Sequence, residues 1–502
     1  MSLLDADPSD PLPLARELFT VADRATAGLP ELAAQVGFSR ERLEGPLRVA
    51  MAGKVKAGKS TLVNAFLGDE LAPTDAGECT MVTTWFQFGR VPATRVVAKD
   101  GSVTELPFRR RGGQFVMGLG GLSPAEVSRV EVDWPSPFLE RLTLIDTPGI
   151  DSLTTEASDR TTDLLLESAG AAAVDAVIYL MRHRHSVDLT FVSDLARGAA
   201  DAHGAATTLV VLSRADELGG GRIDSLVSAR DVARSYADEP MLRAHSVGVI
   251  PVAGLLAQGA RMLRQDDFDL LAALTTVSRD EREAMLISAD RYAQHGLGGT
   301  PDQRQALVRR LGLFGIRMGT ALIRQGSTTP ADLAAELESQ SGLGAVEAVL
   351  TEHFLPRARV LIARNAVTLL EQVAEECSEP GRRDLLAACD RFRVEVGQPL
   401  AELSFVVQAR RAAVQGLAPE DALVAARVLG DEGPTVRHRL GLKPDDGINE
   451  ASAQLVALTQ HWGAVAAAPG TWRPARRVAI AVVGALDRMA VMLADVDRSA
   501  TT

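Results

Sequence analysis

The chain has 502 residues and a formal net charge of −12, with a sequence pI near 5.3. That length allows roughly two or three domains and a large core, and the acidic balance argues against a general nucleic-acid binder, so no nucleic-acid partner is expected. Cys79, Cys377 and Cys389 form neither a metal nor a disulfide pattern and fit a reducing cytosol. The acidic start MSLLDADPSD does not read as a secretion signal. The nearest approach to a membrane span, Val478 to Val496, is interrupted by Asp487, Arg488 and Asp495 and reads as an amphipathic helix.

Residues 10–45 have helical spacing: Leu14, Leu18, Val21 and Ala22 share a face, and a second segment runs from Leu32 to Leu43 after Pro30. Arg48 to Gly68 then reads as strand, glycine-rich loop and helix. The apolar run Val49–Ala52 leads into Gly53-Lys54-Val55-Lys56-Ala57-Gly58-Lys59-Ser60, and Thr61 to Leu67 follows at helical spacing. This is the order a phosphate-binding loop needs. Glycines let backbone N–H groups close around phosphate, and the helix N-terminus adds unpaired donors. The pattern assigns Gly53, Lys54, Val55, Ala57, Gly58, Lys59, Ser60 and Thr61 to phosphate binding. Lys59 would bridge the β- and γ-phosphates and Ser60 would hold Mg2+.

From 48 to about 255 strands and helices alternate, which indicates a mostly parallel sheet covered on both faces, an α/β head. Strands are expected at Thr83–Phe88, Arg95–Ala98, Val130–Trp134, Leu142–Ile145, Ala176–Met181, Thr208–Leu212 and Val247–Pro251. Helices are expected at Thr61–Leu67, Ser158–Ser168, Val187–Ala199 and Ile223–Tyr236. Arg109-Arg110-Arg111-Gly112-Gly113 reads as a solvated basic loop in preference to a nucleotide contact. A switch residue reaching Mg2+ must lie between the phosphate loop and the next motif. Thr74, Thr80 and Thr83 are the candidates; Thr80 suits the role, and Thr83 belongs to the strand. Cys79 beside it reads as an apolar filler in preference to a redox switch.

Asp146-Thr147-Pro148-Gly149 follows the apolar strand Leu142–Ile145. A carboxylate at a buried strand end can hold Mg2+ through water, and the Gly149 amide can sense a γ-phosphate. Ser213-Arg214-Ala215-Asp216 follows the strand Thr208–Leu212. Asp216 can accept two hydrogen bonds from the guanine ring and amino nitrogens, whereas adenine presents the wrong donors; guanine is favoured. Arg214 stands where GTPases carry Lys and can still cover the base, and Ser213 can bond the phosphate-loop backbone. Val252 and Ala253, in VIPVAG, mark the last base-binding turn.

From 256 onward strand signals fade. Helices are expected at Ala257–Leu274, Asp280–Tyr292, Gln303–Arg324, Pro330–Gln340, Gly344–Phe354, Arg357–Cys377, Arg383–Val394, Glu402–Gln415, Pro419–Leu429, Ile448–Ala468 and Trp472–Val496. Gly430–Gly447 reads as a loop. A run of helices without strands indicates an elongated bundle.

GKVKAGKSTLVNAFLGDELAPTDAGECT, then DTPG, then SRADELGGGRID, with RRGG at Arg110–Gly113, LFGIRM at Leu313–Met318 and SGL at Ser341–Leu343, resembles the dynamin superfamily. The likeness is to the bacterial dynamin-like proteins of actinobacteria and spans nearly the whole chain. It implies a GTP/GDP- and Mg2+-binding GTPase head at 46–356, with a helical insertion near 256–340 and a last head helix at Ser341–Phe354. It further implies a neck and trunk bundle at 357–502, joined by the N-terminal helices of 1–45. Composition alone would end the head near 256.

Small GTPases position water with a Gln shortly after the DxxG turn; here Gly149 is followed by Ile150 and Asp151. The dynamin-like family also lacks that Gln and activates its own phosphate loop when heads dimerise. The resemblance therefore implies a catalytic role for Lys56, supplying positive charge on head–head contact, weighed against a solvent-facing loop lysine, beside Lys59 and Thr80. Mg2+ ligands would be Ser60, Thr80 and Asp146. The expected partners are a second head of the same or another chain, a dynamin-like paralogue and a lipid surface at the inner face of the cell membrane. Gln408–Arg411 is one candidate for lipid contact, weighed against a solvated helix face. Alternatives to a membrane-remodelling GTPase are a feebly hydrolytic partner subunit and a regulatory GTPase of ribosome assembly.

Overall fold

The computed structural model describes residues 4, 7, 10–73, 82–111, 114–116, 118–149, 174–182, 188–189, 191–192, 207–410 and 416–499. Its centre is a nine-stranded sheet. The strands are β1 (Leu47–Gly53), β2 (Thr84–Phe88), β3 (Ala93–Ala98), β4 (Val103–Leu106), β7 (Val127–Trp134), β8 (Leu142–Asp146), β9 (Ala176–Met181), β10 (Thr208–Ser213) and β11 (Val249–Val252). Their order is β11-β10-β9-β1-β8-β2-β7-β3-β4. From β11 to β8 every neighbour is parallel; β2 turns against β8, and β3 and β4 form an antiparallel wing beyond β7. The architecture is the α/β head plus helical bundle that the sequence implies.

Strand periodicity sorts the core. In β9, Ala176, Ile178 and Leu180 join one cluster, while Val177, Tyr179 and Met181 join the opposite one. The first cluster also contains α1 (Leu12–Ala25), α2 (Pro30–Arg42) and the helices Ala358–Glu376 and Gly381–Arg410 as far as Phe392. One continuous core therefore joins the sheet to the start of the bundle. A separate core of Val406, Trp462, Leu486 and their neighbours holds the far helices together. A third, with Leu271, Tyr292, Leu311 and Leu337, packs the helices of 254–341 on Ala215, Leu226 and Ala229.

Several elements depart from the sequence reading. The two helices expected at Arg383–Val394 and Glu402–Gln415 are one helix, Gly381–Arg410, running through Pro399. Proline removes one hydrogen bond locally, but the helix is anchored on both sides, by Leu385 and Phe392 in one core and Val406 in another. The expected helix Ala257–Leu274 divides into Gly254–Arg261 and Gln265–Ala273, and Asp280–Tyr292 into Arg279–Met285 and Ala289–His295. Gly430–Gly447 contains a short helix, Val436–Leu440, capped by the Thr435 hydroxyl. β4 was not expected, because Val103–Leu106 is largely exposed and lacks an apolar alternation.

The RRGG stretch is also more than a loop. β5 (Arg110–Arg111) pairs with β6 (Gln114–Phe115), and Arg110 donates to both carboxylate oxygens of Asp69 at 2.9 and 2.7 Å. Its guanidinium also lies over the rings of Phe108 and Trp134. The helices expected at Ser158–Ser168 and Val187–Ala199 lie wholly or mostly outside the described residues. Among the described residues no helix is long and apolar enough to cross a membrane.

Asp175 sits buried just before β9. One carboxylate oxygen accepts from the Arg42 guanidinium at the end of α2 and from the Arg48 amide at 2.7 Å. The other accepts from Asn365 Nδ2 at 2.8 Å, which also bonds the Val174 carbonyl. A single anion thus ties α2, β1 and the first bundle helix. Removing it strands a buried cation and two donors. Asp175→Ala is expected to lower unfolding free energy by about 3–5 kcal/mol in urea titration, with Asp175→Asn losing less. A loss below about 1 kcal/mol, the scale of an exposed pair, would show the tie to be incidental.

Candidate nucleotide-binding site

β1 runs parallel to both its neighbours, with Met51 opposite Asp146 and Gly53 opposite Leu180. That register brings the phosphate loop and the DTPG turn to the same end of the sheet. Gly53 has φ 144°, and a Cβ there would stand 2.4 Å from the Leu180 carbonyl oxygen, so only glycine fits. Lys54 to Gly58 form the loop, and α3 (Lys59–Leu67) starts from Gly58 in a left-handed conformation.

Lys59 is buried, and its Nζ donates to the carbonyls of Gly53 at 3.0 Å and Lys54 at 3.3 Å. Burial lowers its proton affinity, opposed by the nearby Asp146 charge. Asp146 is buried at the end of β8. One of its oxygens accepts from Ser60 Oγ at 2.7 Å; the other is buried without a hydrogen-bond partner among the described residues. Burial raises the Asp146 pKa, with Lys59 and Ser60 pulling the other way. An orphaned carboxylate oxygen beside a serine hydroxyl suits a hard cation such as Mg2+, which takes oxygen ligands and retains several waters. Thr147 Oγ1 donates to the Met51 carbonyl at 2.7 Å. A Cβ on Gly149 would meet Val55 Cγ2 at 2.5 Å and Val55 Cα at 2.9 Å. The DTPG turn and the phosphate loop are therefore in backbone contact.

The base side is built from the next strands. Ser213 ends β10, and its hydroxyl donates to the Met181 carbonyl at 3.2 Å, a partner on β9 where the phosphate-loop backbone had been expected. Arg214 is left-handed, with φ 53°. Asp216 is half-buried; burial raises its pKa, its own amide lowers it, and the Glu217 charge adds to the rise. A cavity of about 180 Å3 opens here, lined by Ala57, Gly58 and Thr61 from the phosphate motif and by Ser213, Arg214 and Asp216 from the base motif. Val252 and Gly254 close it. Residues from the phosphate and base motifs thus line one cavity. A larger groove, about 840 Å3, runs between β11 and the helix Pro330–Ser341, and no phosphate-loop residue lines it.

Ala253 departs from expectation. Its amide donates to the Ser341 carbonyl at 2.9 Å, and its side chain belongs to the core of the 254–341 helices. Its backbone donor is spent on the end of the helix Pro330–Ser341. Thr74, Cys79 and Thr80 lie outside the described residues, and Thr83 directly precedes β2. Two acidic groups at the site were missed. Lys54 Nζ stands 3.6 Å from buried Asp188, which also accepts from Tyr179 Oη at 2.7 Å. Glu217 lines the base cavity. Glu217 adjoins Asp216 and was findable there, whereas nothing in the sequence marks Asp188.

Lys59 carries the first consequence. Its folded-state pKa lies below the ordinary 10.5. The folding stability linked to it is therefore present above that value and declines as pH falls, so at neutral pH the buried ammonium weakens the empty protein. Lys59→Ala is expected to keep or raise the melting temperature without nucleotide, while weakening GDP binding roughly 100-fold in fluorescent-nucleotide titration. A lowered melting temperature with unchanged affinity would reverse that assignment.

A sequence profile of the Dynamin family matches residues 49–215, the span from β1 past Arg214. The isoniazid-induced protein IniC of Mycobacterium tuberculosis is 37% identical over 432 residues, covering 85% of this chain and 86% of IniC. IniA of the same organism is 32% identical over 157 residues, 29% of this chain and 23% of IniA. A bacterial dynamin-like protein of Nostoc punctiforme is 27% identical over 129 residues, 22% of this chain and 18% of its own length. With the sheet, the phosphate loop and a near full-length relative in agreement, the chain belongs to the dynamin family, as a bacterial dynamin-like protein close to IniC.

Proposed function

We propose that this protein binds and hydrolyses GTP, and that contact between two heads stimulates turnover and moves the helical bundle on a membrane surface. The observation that carries the nucleotide reading is the single cavity that Gly58 and Thr61 line together with Asp216. In this reading residues 46–356 form the catalytic head with 256–340 as its insertion, and 1–45 and 357–502 form the neck and trunk.

Hydrolysis breaks the bond between the γ-phosphorus and the β,γ-bridging oxygen as water attacks, and negative charge grows on the leaving GDP. The loop amides and the N-terminus of α3 hold the phosphates, and Lys59 exchanges its carbonyl partners for phosphate oxygens. Gly149 reports the γ-phosphate to Val55 through their close contact. Asp216, with Ser213 and Arg214 beside it, reads the base. Ser60 and Asp146, with Thr80, would hold Mg2+, which supplies further positive charge to the phosphate oxygens when bound. Lys56 is exposed on the loop and stands free to act across a head–head interface. There its ammonium would meet the charge on the bridging oxygen.

The bundle offers a surface for lipid. Trp472, 62% exposed, packs beside Gly416. Arg473 and Arg477 follow on the exposed side of the helix Arg473–Ser499. An aromatic ring flanked by arginines suits an anionic membrane interface. Gln408–Arg410 end the long helix at Arg410, and Arg411 lies outside the described residues. Pairing with a dynamin-like paralogue is a second reading, since two distinct M. tuberculosis proteins, IniC and IniA, are both related to this chain.

GTP turnover per molecule is expected to rise with protein concentration and with anionic liposomes, and Lys56→Ala to lose the stimulated part while binding GTP normally. Turnover that is flat in both, even with a paralogue added, would count against assembly-driven catalysis. Wild-type stimulation in Lys56→Ala would clear Lys56 of the role.

A further inference from the structure

Among the described residues, two non-glycine side chains sit on left-handed backbone: Lys56 at φ 62° and Arg214 at φ 53°. Such a conformation is disfavoured for an L side chain and persists only where its surroundings impose it. The two lie on different loops and are bonded to each other: Arg214 Nη2 donates to the Lys56 carbonyl at 3.0 Å. Arg214 Nη1 donates to Glu217 Oε1 at 2.7 Å. The other Glu217 oxygen accepts from Arg182 Nη2 at 2.9 Å, just past the end of β9.

We propose that the chain Arg182–Glu217–Arg214 is a positioning device that holds the phosphate loop, at Lys56, in its nucleotide-binding shape. This rests on the nucleotide reading of the site but not on a catalytic role for Lys56. The planar guanidinium explains why arginine stands where related GTPases carry lysine. One edge reaches the Lys56 carbonyl while the other is fixed on Glu217, a fork that an ammonium on a flexible stem does not reproduce. Glu217 is in turn fixed from β9, the strand beside β1. The base loop and the phosphate loop thus share one brace, and Glu217 and Arg182 gain a role in nucleotide affinity without touching phosphate. The three side chains are partly exposed, so the effect is moderate.

Glu217→Gln and Arg182→Ala are expected to weaken GDP binding about fivefold in fluorescent-nucleotide titration, a change of about 1 kcal/mol. The informative variant is the double substitution Lys56→Gly with Glu217→Gln. Glycine adopts positive φ without penalty, so a loop freed of its strain no longer needs the brace. The double variant should return to within about twofold of wild-type affinity, a gap of about 0.4 kcal/mol. Wild-type affinity in both single variants, or a double variant as weak as Glu217→Gln, would overturn the proposal. If the wild-type chain bound no guanine nucleotide, the function reading would fail instead. The brace would then be read from melting of the empty protein, lowered by Glu217→Gln and restored by Lys56→Gly; no lowering would overturn it.

Discussion

The parallel register of β1 between β8 and β9 is the constraint on which everything else rests. It pairs Met51 with Asp146 and Gly53 with Leu180, and the next ladders pair Leu212 with Met181 and Ser213 with Val252. All the strand ends that carry nucleotide chemistry therefore point the same way. The opposite ends, near Leu47 and Ala176, gather around Asp175, where α2 and Asn365 of the bundle are tied. A one-residue slip in β1 would turn Val49 and Met51 into the opposite core and carry Gly53 away from Leu180. Register thus fixes both a chemical end and a mechanical end of one sheet.

Charge is treated differently at the two ends. Asp175 has both oxygens satisfied by a guanidinium, an amide and a carboxamide, and a buried anion so bonded holds structure together. Asp146 is also buried, but among the described residues one of its oxygens has no partner and its neighbour Lys59 donates to carbonyls of its own loop. Both side chains are displaced from their ordinary pKa by burial. Incompletely compensated charge is a liability in an empty protein and an asset once phosphate and a cation arrive.

What the sequence made legible follows from how local each signal is. The order strand, glycine loop, helix is readable from Val49 to Leu67, and alternation in Thr208–Leu212 and Ala176–Met181 marks strands buried on both faces. Periodicity did not mark that Leu343, Val346 and Phe354, well beyond Gly254, pack against the sheet core. Features that depend on distant partners were not legible. Pro399 looked like a helix end because its two anchoring cores are invisible in the sequence. Arg110 looked solvated because Asp69, Phe108 and Trp134 are gathered around it only by folding. Ala253 matched a base-binding turn, but its amide had a partner, Ser341, that the fold alone supplies.

The helix α3, which follows the glycine-rich loop, is also fixed at its far end. Arg261 Nη1 donates to the carbonyls of Ala65 and Phe66 in the last turn of α3, at 2.9 and 3.2 Å. There a cation offsets the negative end of the helix dipole. The same guanidinium bonds Glu338 at 2.8 Å and Glu347 at 2.6 Å. Glu347 belongs to the helix Leu343–Ala348, which continues through a π-helical segment, Val349–Phe354, to the bundle helix Ala358–Glu376. A π-turn is a costlier backbone than the α-helix it interrupts, and it recurs at functional positions. Here it stands between a helix clamped to the phosphate-binding element and a helix clamped, through Asn365, to the opposite end of the sheet. Two departures from regular α-helix therefore lie between those clamps, the π-helical Val349–Phe354 and the 3-10 turn Leu355–Arg357.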